Sequence, residues 1–89
     1  MSEQVHPREN VIEQKVEGGL LLLLESGQYV VVNDSGALVW MGIRRGETID
    51  TIVDAVANME GAPVKDACHQ YVHRFISELR ESGFLKENE

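Results

Sequence analysis

His69 and His73 stand four residues apart in a stretch of helical periodicity, the spacing at which two imidazoles share one helix face and could hold a metal ion. Gln70 follows His69 where a zinc-peptidase helix would place its Glu, and no third ligand stands nearby in the sequence. The pair therefore reads as a polar helix shoulder, and no metal is expected. Cys68 precedes His69, but neighbouring helix residues point about 100° apart and cannot pair as nucleophile and base. As the only cysteine, Cys68 can form no intramolecular disulfide and is expected to be a buried thiol. Asp34 lies at a helix start, where a carboxylate serves better as a cap than as a general acid. "EGG" at Glu17 to Gly19 falls between two extended segments rather than ahead of a helix, so it reads as a hairpin turn and not as a phosphate loop. Trp40, among Leu38, Val39 and Met41, is expected to anchor a core. No catalytic residue and no cofactor is expected.

The composition narrows the function classes further. The chain has 89 residues, and a domain of that size buries only about 60–65% of its unfolded surface, too little for a large catalytic cleft. With 43% hydrophobic and 26% charged residues it is an ordinary folding chain. A formal net charge of −7 opposes binding to phosphate backbones unless the cations cluster, and they are scattered. The leucine run Leu20 to Leu24 is far shorter than the ~18 residues of a membrane span. "MSEQVHPREN" lacks the apolar region of a signal peptide, so a cytoplasmic location is expected.

The elements that would position any site follow from punctuation and period. Residues 1–9 show no periodicity and are expected to be a flexible arm, with the domain running from 10 to 86. "NVIEQKV", "LLLLLE" and "YVVVN" are short apolar segments separated by the glycine-bearing turns "EGG" and "SGQ", the pattern of a three-stranded antiparallel meander. After Asn33 the period changes. Asp34 or Ser35 caps a first helix that ends near Arg45, with Gly46 as its stop. Thr48 caps a second helix running to about Met59, whose stripe is Ile49, Ile52, Val53 and Val56. A third spans about Val64 to Ser82, with Val64, Cys68, Tyr71, Val72, Phe75, Ile76 and Leu79 on one broad apolar face, and Phe84-Leu85 tucks beneath it. The order β-β-β-α-α-α, with a tight turn between the last two helices, predicts an α+β winged helix-turn-helix with the wing placed first.

A helix-turn-helix raises nucleic acid, but the third helix sets Lys65, Arg74 and Arg80 against Asp66, Glu78 and Glu81, so no nucleic-acid partner is expected. The strand "QYVVVN" is the exposed edge of the meander, and it carries no Lys, Pro or bulge to protect it. Such an edge takes an added peptide strand, pairs with a second copy, or is covered by the N-terminal arm.

Three segments carry a family likeness: "VVNDSGALVW", "GETIDTIVDAVA" and "VHRFISELRESGFL", in that order from Val31 to Leu85. On them the chain resembles the PqqD-like proteins, the recognition elements for precursors of ribosomally synthesised, modified peptides. Its size is similar to the stand-alone leader-binding subunit of lasso-peptide clusters. "MGIRRG", at the end of the first helix, departs from the family pattern at Gly42, Arg44 and Arg45. The resemblance implies a winged helix-turn-helix that binds the leader region of a precursor and offers it to a leader peptidase or other maturation enzyme, with no membrane partner. It also implies an antiparallel leader strand on Gln28, Tyr29, Val30, Val31 and Val32, in a groove with His69, Val72, His73 and Ile76 of the third helix. The rival readings are a DNA-binding winged-helix regulator and a small dimerisation module.

Overall fold

The computed structural model describes residues 4–86. The elements follow the expected order: β1 (Ile12–Val16), β2 (Gly19–Leu23), β3 (Tyr29–Asn33), α1 (Asp34–Arg44), α2 (Ile49–Ala57) and α3 (Lys65–Glu81). The strands form one antiparallel sheet in the order β1-β2-β3. Leu22 sits opposite both Glu13 and Val30, and Leu20 opposite both Lys15 and Val32. Because side chains alternate across a strand, Leu20, Leu22, Val30 and Val32 share the face turned to the helices, and Leu22 is fully buried there. Leucine forms this strand despite its helical preference because two turns leave it only five residues.

The turn between β2 and β3 sets the register. Leu24 N–H donates to the Gln28 carbonyl at 2.8 Å and Gly27 N–H to the Leu24 carbonyl at 2.9 Å, with Gly27 at a φ of +96°. A positive φ there costs glycine little, which is how Glu25, Ser26 and Gly27 form a three-residue loop closed by Leu24 and Gln28.

Strand β3 passes into α1 without a loop, so Asn33 is both the last strand residue and the helix cap. Its Oδ1 accepts from Gly36 N–H at 2.9 Å and from the Ser35 hydroxyl at 3.0 Å. This corrects the expectation that Asp34 or Ser35 caps: both already lie inside the helix, and Asn33 alone keeps the extended φ and ψ of a cap. Thr48 caps α2 as expected, accepting from Thr51 N–H at 3.2 Å.

One core joins the layers. Trp40 is fully buried on α1, with Val39, Ile43, Ile52, Val53, Cys68, Val72, Phe84 and Leu85 also buried. Its indole N–H donates to Glu13 Oε2 at 2.6 Å, and Arg44 donates to the same oxygen at 2.5 Å, tying β1 to α1. Gly42, part of the segment that departs from the family pattern, has a packing role: a Cβ there would stand 2.7 Å from Ile52 Cγ1. The bare backbone lets α1 and α2 cross closely.

The domain begins earlier than expected. Val5 is 3% exposed, Pro7 bridges to Leu85, Arg8 N–H donates to the Phe84 carbonyl and Lys86 N–H to the His6 carbonyl. Residues 4–9 thus pair with the segment after α3 rather than extending the sheet; residues 1–3 of the expected arm lie outside the described residues. A single buried valine amid polar residues has no periodicity to announce it.

Candidate functional site

Among the described residues, strand β3 is paired only on its β2 side. In an antiparallel ladder, opposed residues alternate between pairs that exchange hydrogen bonds and pairs that do not. The Leu24 to Gln28 bond marks that couple as bonded, so Leu22–Val30 and Leu20–Val32 are bonded while Leu23–Tyr29 and Leu21–Val31 are not. The other hairpin agrees: its two-residue loop makes Val16–Gly19 a bonded pair, which assigns Gly19, Leu21 and Leu23 to β1. Tyr29 and Val31 therefore turn their backbone N–H and C=O groups outward, along the free edge. Their side chains are 66% and 56% exposed on the face away from the helices, and no charged residue stands in the strand.

The wall beside this edge belongs to α3 and the first turn of α1. A Cβ on Gly36 would stand 3.0 Å from Val32 Cβ and 3.1 Å from Phe75 Cε1. Glycine here lets the Phe75 ring approach the last turn of the strand. Tyr71, one turn earlier on α3, lies alongside Phe75 with ring centroids 6.1 Å apart, and its hydroxyl meets the Ser35 hydroxyl at 3.0 Å. Both rings are half-buried. Val30, Tyr71 and Phe75 are partly buried and pack against the core that includes Val32, so the helix side of the β3 edge is apolar and aromatic.

The residues expected in the groove distribute differently. Gln28, at the strand entrance, and Tyr29 to Val32 lie along the edge. Val72 and Ile76 are 0% and 3% exposed, inside the core. His69 and His73 are exposed, and their rings meet at a tilt of 41° with centroids 4.3 Å apart. At 100° per residue they sit about 120–160° round the helix from Phe75, on the opposite flank. The helix is rotated because Cys68, Val72, Ile76 and Leu79 fill the core, leaving Tyr71 and Phe75 as the margin toward β3. That margin was present in the sequence: the apolar face of α3 is wider than a core contact requires, and its aromatic members mark one side.

Electrostatics add little at the edge. The ion pair Lys65–Asp54, 2.8 Å, lies at the start of α3, where the Asp54 hydrogen bond, then its charge, holds the Lys65 ammonium above its ordinary pKa. Among the described residues, no group of three or more His, Cys, Asp and Glu could hold a metal ion, and no helix is long and apolar enough to cross a membrane.

Residues 18–85 match the family described as Coenzyme PQQ synthesis protein D (PqqD). No curated protein matches the chain. Two solved structures share the fold. One is TbiB1 in complex with the TbiA(beta) leader peptide, 20% identical, covering 94% of this chain and 98% of that one with a TM-score of 0.81. The other is lasso peptide synthetase B1 complexed with the leader peptide, 19% identical, covering 96% and 100% with a TM-score of 0.83.

Proposed function

The chain belongs to the PqqD family, and from that premise we propose that it binds the leader region of a ribosomally synthesised precursor peptide in lasso-peptide biosynthesis. The observation that carries this reading is the free edge of β3, with the outward backbone groups of Tyr29 and Val31 beside the Phe75 and Tyr71 rings. That both similar structures are complexes with a leader peptide supports it.

Strand addition satisfies the edge N–H and C=O groups and fixes the peptide's register with little demand on its sequence; side chains pointing to the helix side then supply selectivity. Here those side chains would meet Val30, Val32, Tyr71 and Phe75. Gln28 receives one end of the strand, while Val72 and Ile76 hold α3 in place from beneath. His69 and His73 are left to the outer flank. Ordering a flexible leader costs free energy, so a net affinity in the micromolar to nanomolar range, about 8 to 12 kcal/mol, fits an edge of this length. The protein performs no bond chemistry. It raises the effective concentration of the precursor for a leader peptidase or other maturation enzyme in the cytoplasm.

Backbone hydrogen exchange tests the reading. Adding a synthetic leader should slow exchange at the Tyr29 and Val31 amides, which β2 does not occupy, more than at Val30 and Val32, which β2 already protects. Protection confined to α3, with Tyr29 and Val31 unchanged, rules out strand addition.

A further inference from the structure

A chain of side-chain hydrogen bonds joins the β3–α1 junction to the middle of α3, and its direction follows from which groups can donate. Asn33 presents a side-chain atom 2.9 Å from Gly36 N–H. A backbone N–H only donates, so the Asn33 atom facing it is the carbonyl oxygen Oδ1. The Ser35 hydroxyl lies 3.0 Å from the same oxygen and therefore donates to it. Serine has one proton to give. At the 3.0 Å contact between Ser35 and Tyr71 the Tyr71 hydroxyl is thus the donor and Ser35 the acceptor. The order of donation is Tyr71 to Ser35 to Asn33.

This relay closes on itself through apolar contact. Tyr71 lies against Phe75, and Phe75 packs where Gly36 carries no Cβ. One polar and one apolar contact therefore hold the same ring pair of α3 to the first turn of α1. Helix α3 packs mainly on α2, and neither β3 nor α1 runs closely alongside it. The cap of α1 needs only the Asn33 oxygen, and water could serve both half-buried hydroxyls, so neither the cap nor burial demands the Ser35–Tyr71 bond.

We propose that Ser35 and Tyr71 are positioning residues for the β3 edge: their hydroxyl bond fixes the Tyr71 and Phe75 rings relative to the strand before a peptide arrives, so that the place of the added strand is already formed. The proposal rests on strand addition at β3, and it gives neither hydroxyl a contact with the peptide. Without the bond the ring pair takes other positions, and only the fraction of molecules with the rings in place accepts a peptide. The loss then falls on association, because the complex once formed is held by the same edge and the same rings.

The test uses a fluorescently labelled peptide, selected from a random display library on the wild-type protein, with association and dissociation followed by stopped flow. Val31→Pro, which blocks the edge, should bind it far more weakly. Tyr71→Phe and Ser35→Ala should each slow association about fivefold and change dissociation by less than about twofold, with the helical circular dichroism retained. The double variant should be no slower than either single one, since either change breaks the same bond. Ser35→Thr restores the hydroxyl and should associate at the wild-type rate, a rescue that a merely structural role does not predict. Unchanged association in folded Tyr71→Phe overturns the positioning role, and this variant decides alone if Ser35→Ala does not fold, because it leaves the Asn33 cap intact. Faster dissociation at an unchanged association rate overturns it too, since the hydroxyl would then be a peptide contact. In both cases strand addition stands. Full binding by Val31→Pro, or no enrichment on wild type, overturns strand addition and the positioning role with it.

Discussion

The sheet has two outer strands of equal length, and they treat their free backbone groups in opposite ways. By the same alternation that turns Tyr29 and Val31 outward on β3, Glu13 and Lys15 turn their backbone groups outward on β1. Strand β1 guards itself with charge: Glu13 and Lys15 point to the helix side, and Glu13 is locked to Trp40 and Arg44. A peptide adding there would meet ionic side chains and no aromatic wall. Strand β3 has no charge and borders two half-buried rings. Inward-pointing charge is a common protection for an edge, so its presence on one side of the sheet and absence on the other is the difference that the proposed strand addition at β3 predicts.

Proline substitution breaks this comparison most directly. Val31→Pro removes an outward donor and no bond to β2, so leader affinity should fall about a hundredfold, about 2.8 kcal/mol, with the helical circular dichroism retained. Lys15→Pro makes the equivalent change on β1 and should leave affinity within about twofold in a titration with labelled leader. Equal losses would mean that the edges are not distinguished.

The aromatic wall comes next. Phe75→Ala should weaken leader binding about tenfold through loss of buried apolar contact, whereas His73→Ala, on the far flank of α3, should change the measured affinity by less than about twofold. A larger effect from His73 would place the groove on the other side of the helix.

On the guarded side the effect should be on stability alone. Glu13→Ala leaves the buried Trp40 N–H without its acceptor, at a cost of about 1–3 kcal/mol. In a domain of this size that lowers Tm by roughly 4–8 °C per kcal/mol, while the folded variant binds leader as before.

The smallest change concerns a pair remote from both edges. Lys65 is exposed, and its pKa is raised in the folded state by Asp54. Its contribution is therefore present at neutral pH and lost as pH rises above 10.5 through the raised value. Thermal melts of Lys65→Met should run slightly below wild type at pH 8 and converge with it at higher pH.

Much of this architecture was legible in the sequence. Glycine-bearing turns at Glu17 to Gly19 and Ser26 to Gln28 delimited the strands, Thr48 announced α2, and "YVVV" announced an uncharged outer strand. Asn33 was less legible, since Asn, Asp and Ser in succession all have capping side chains and only backbone angles choose among them. Gly42 read as a departure from a family pattern, because close helix crossing involves Ile52, ten residues away. The segment around Val5 is placed by the pairing of His6, Pro7 and Arg8 with Phe84 to Lys86 at the other end of the chain.

What the sequence determined by itself is whatever short-range physics dictates: strand and helix periods, turn chemistry, caps, and the absence of charge on β3. The tertiary structure alone decided how α3 is rotated. Periodicity reports that Cys68, Tyr71, Val72, Phe75, Ile76 and Leu79 share one broad face, but it does not say which part of that face meets the core and which borders β3. Packing makes that choice, because the small and branched residues fill the space against α2 while Gly36 admits the Phe75 ring beside Val32. That rotation turns the histidines away from β3 and sets the Tyr71 and Phe75 rings on the strand's side of the helix.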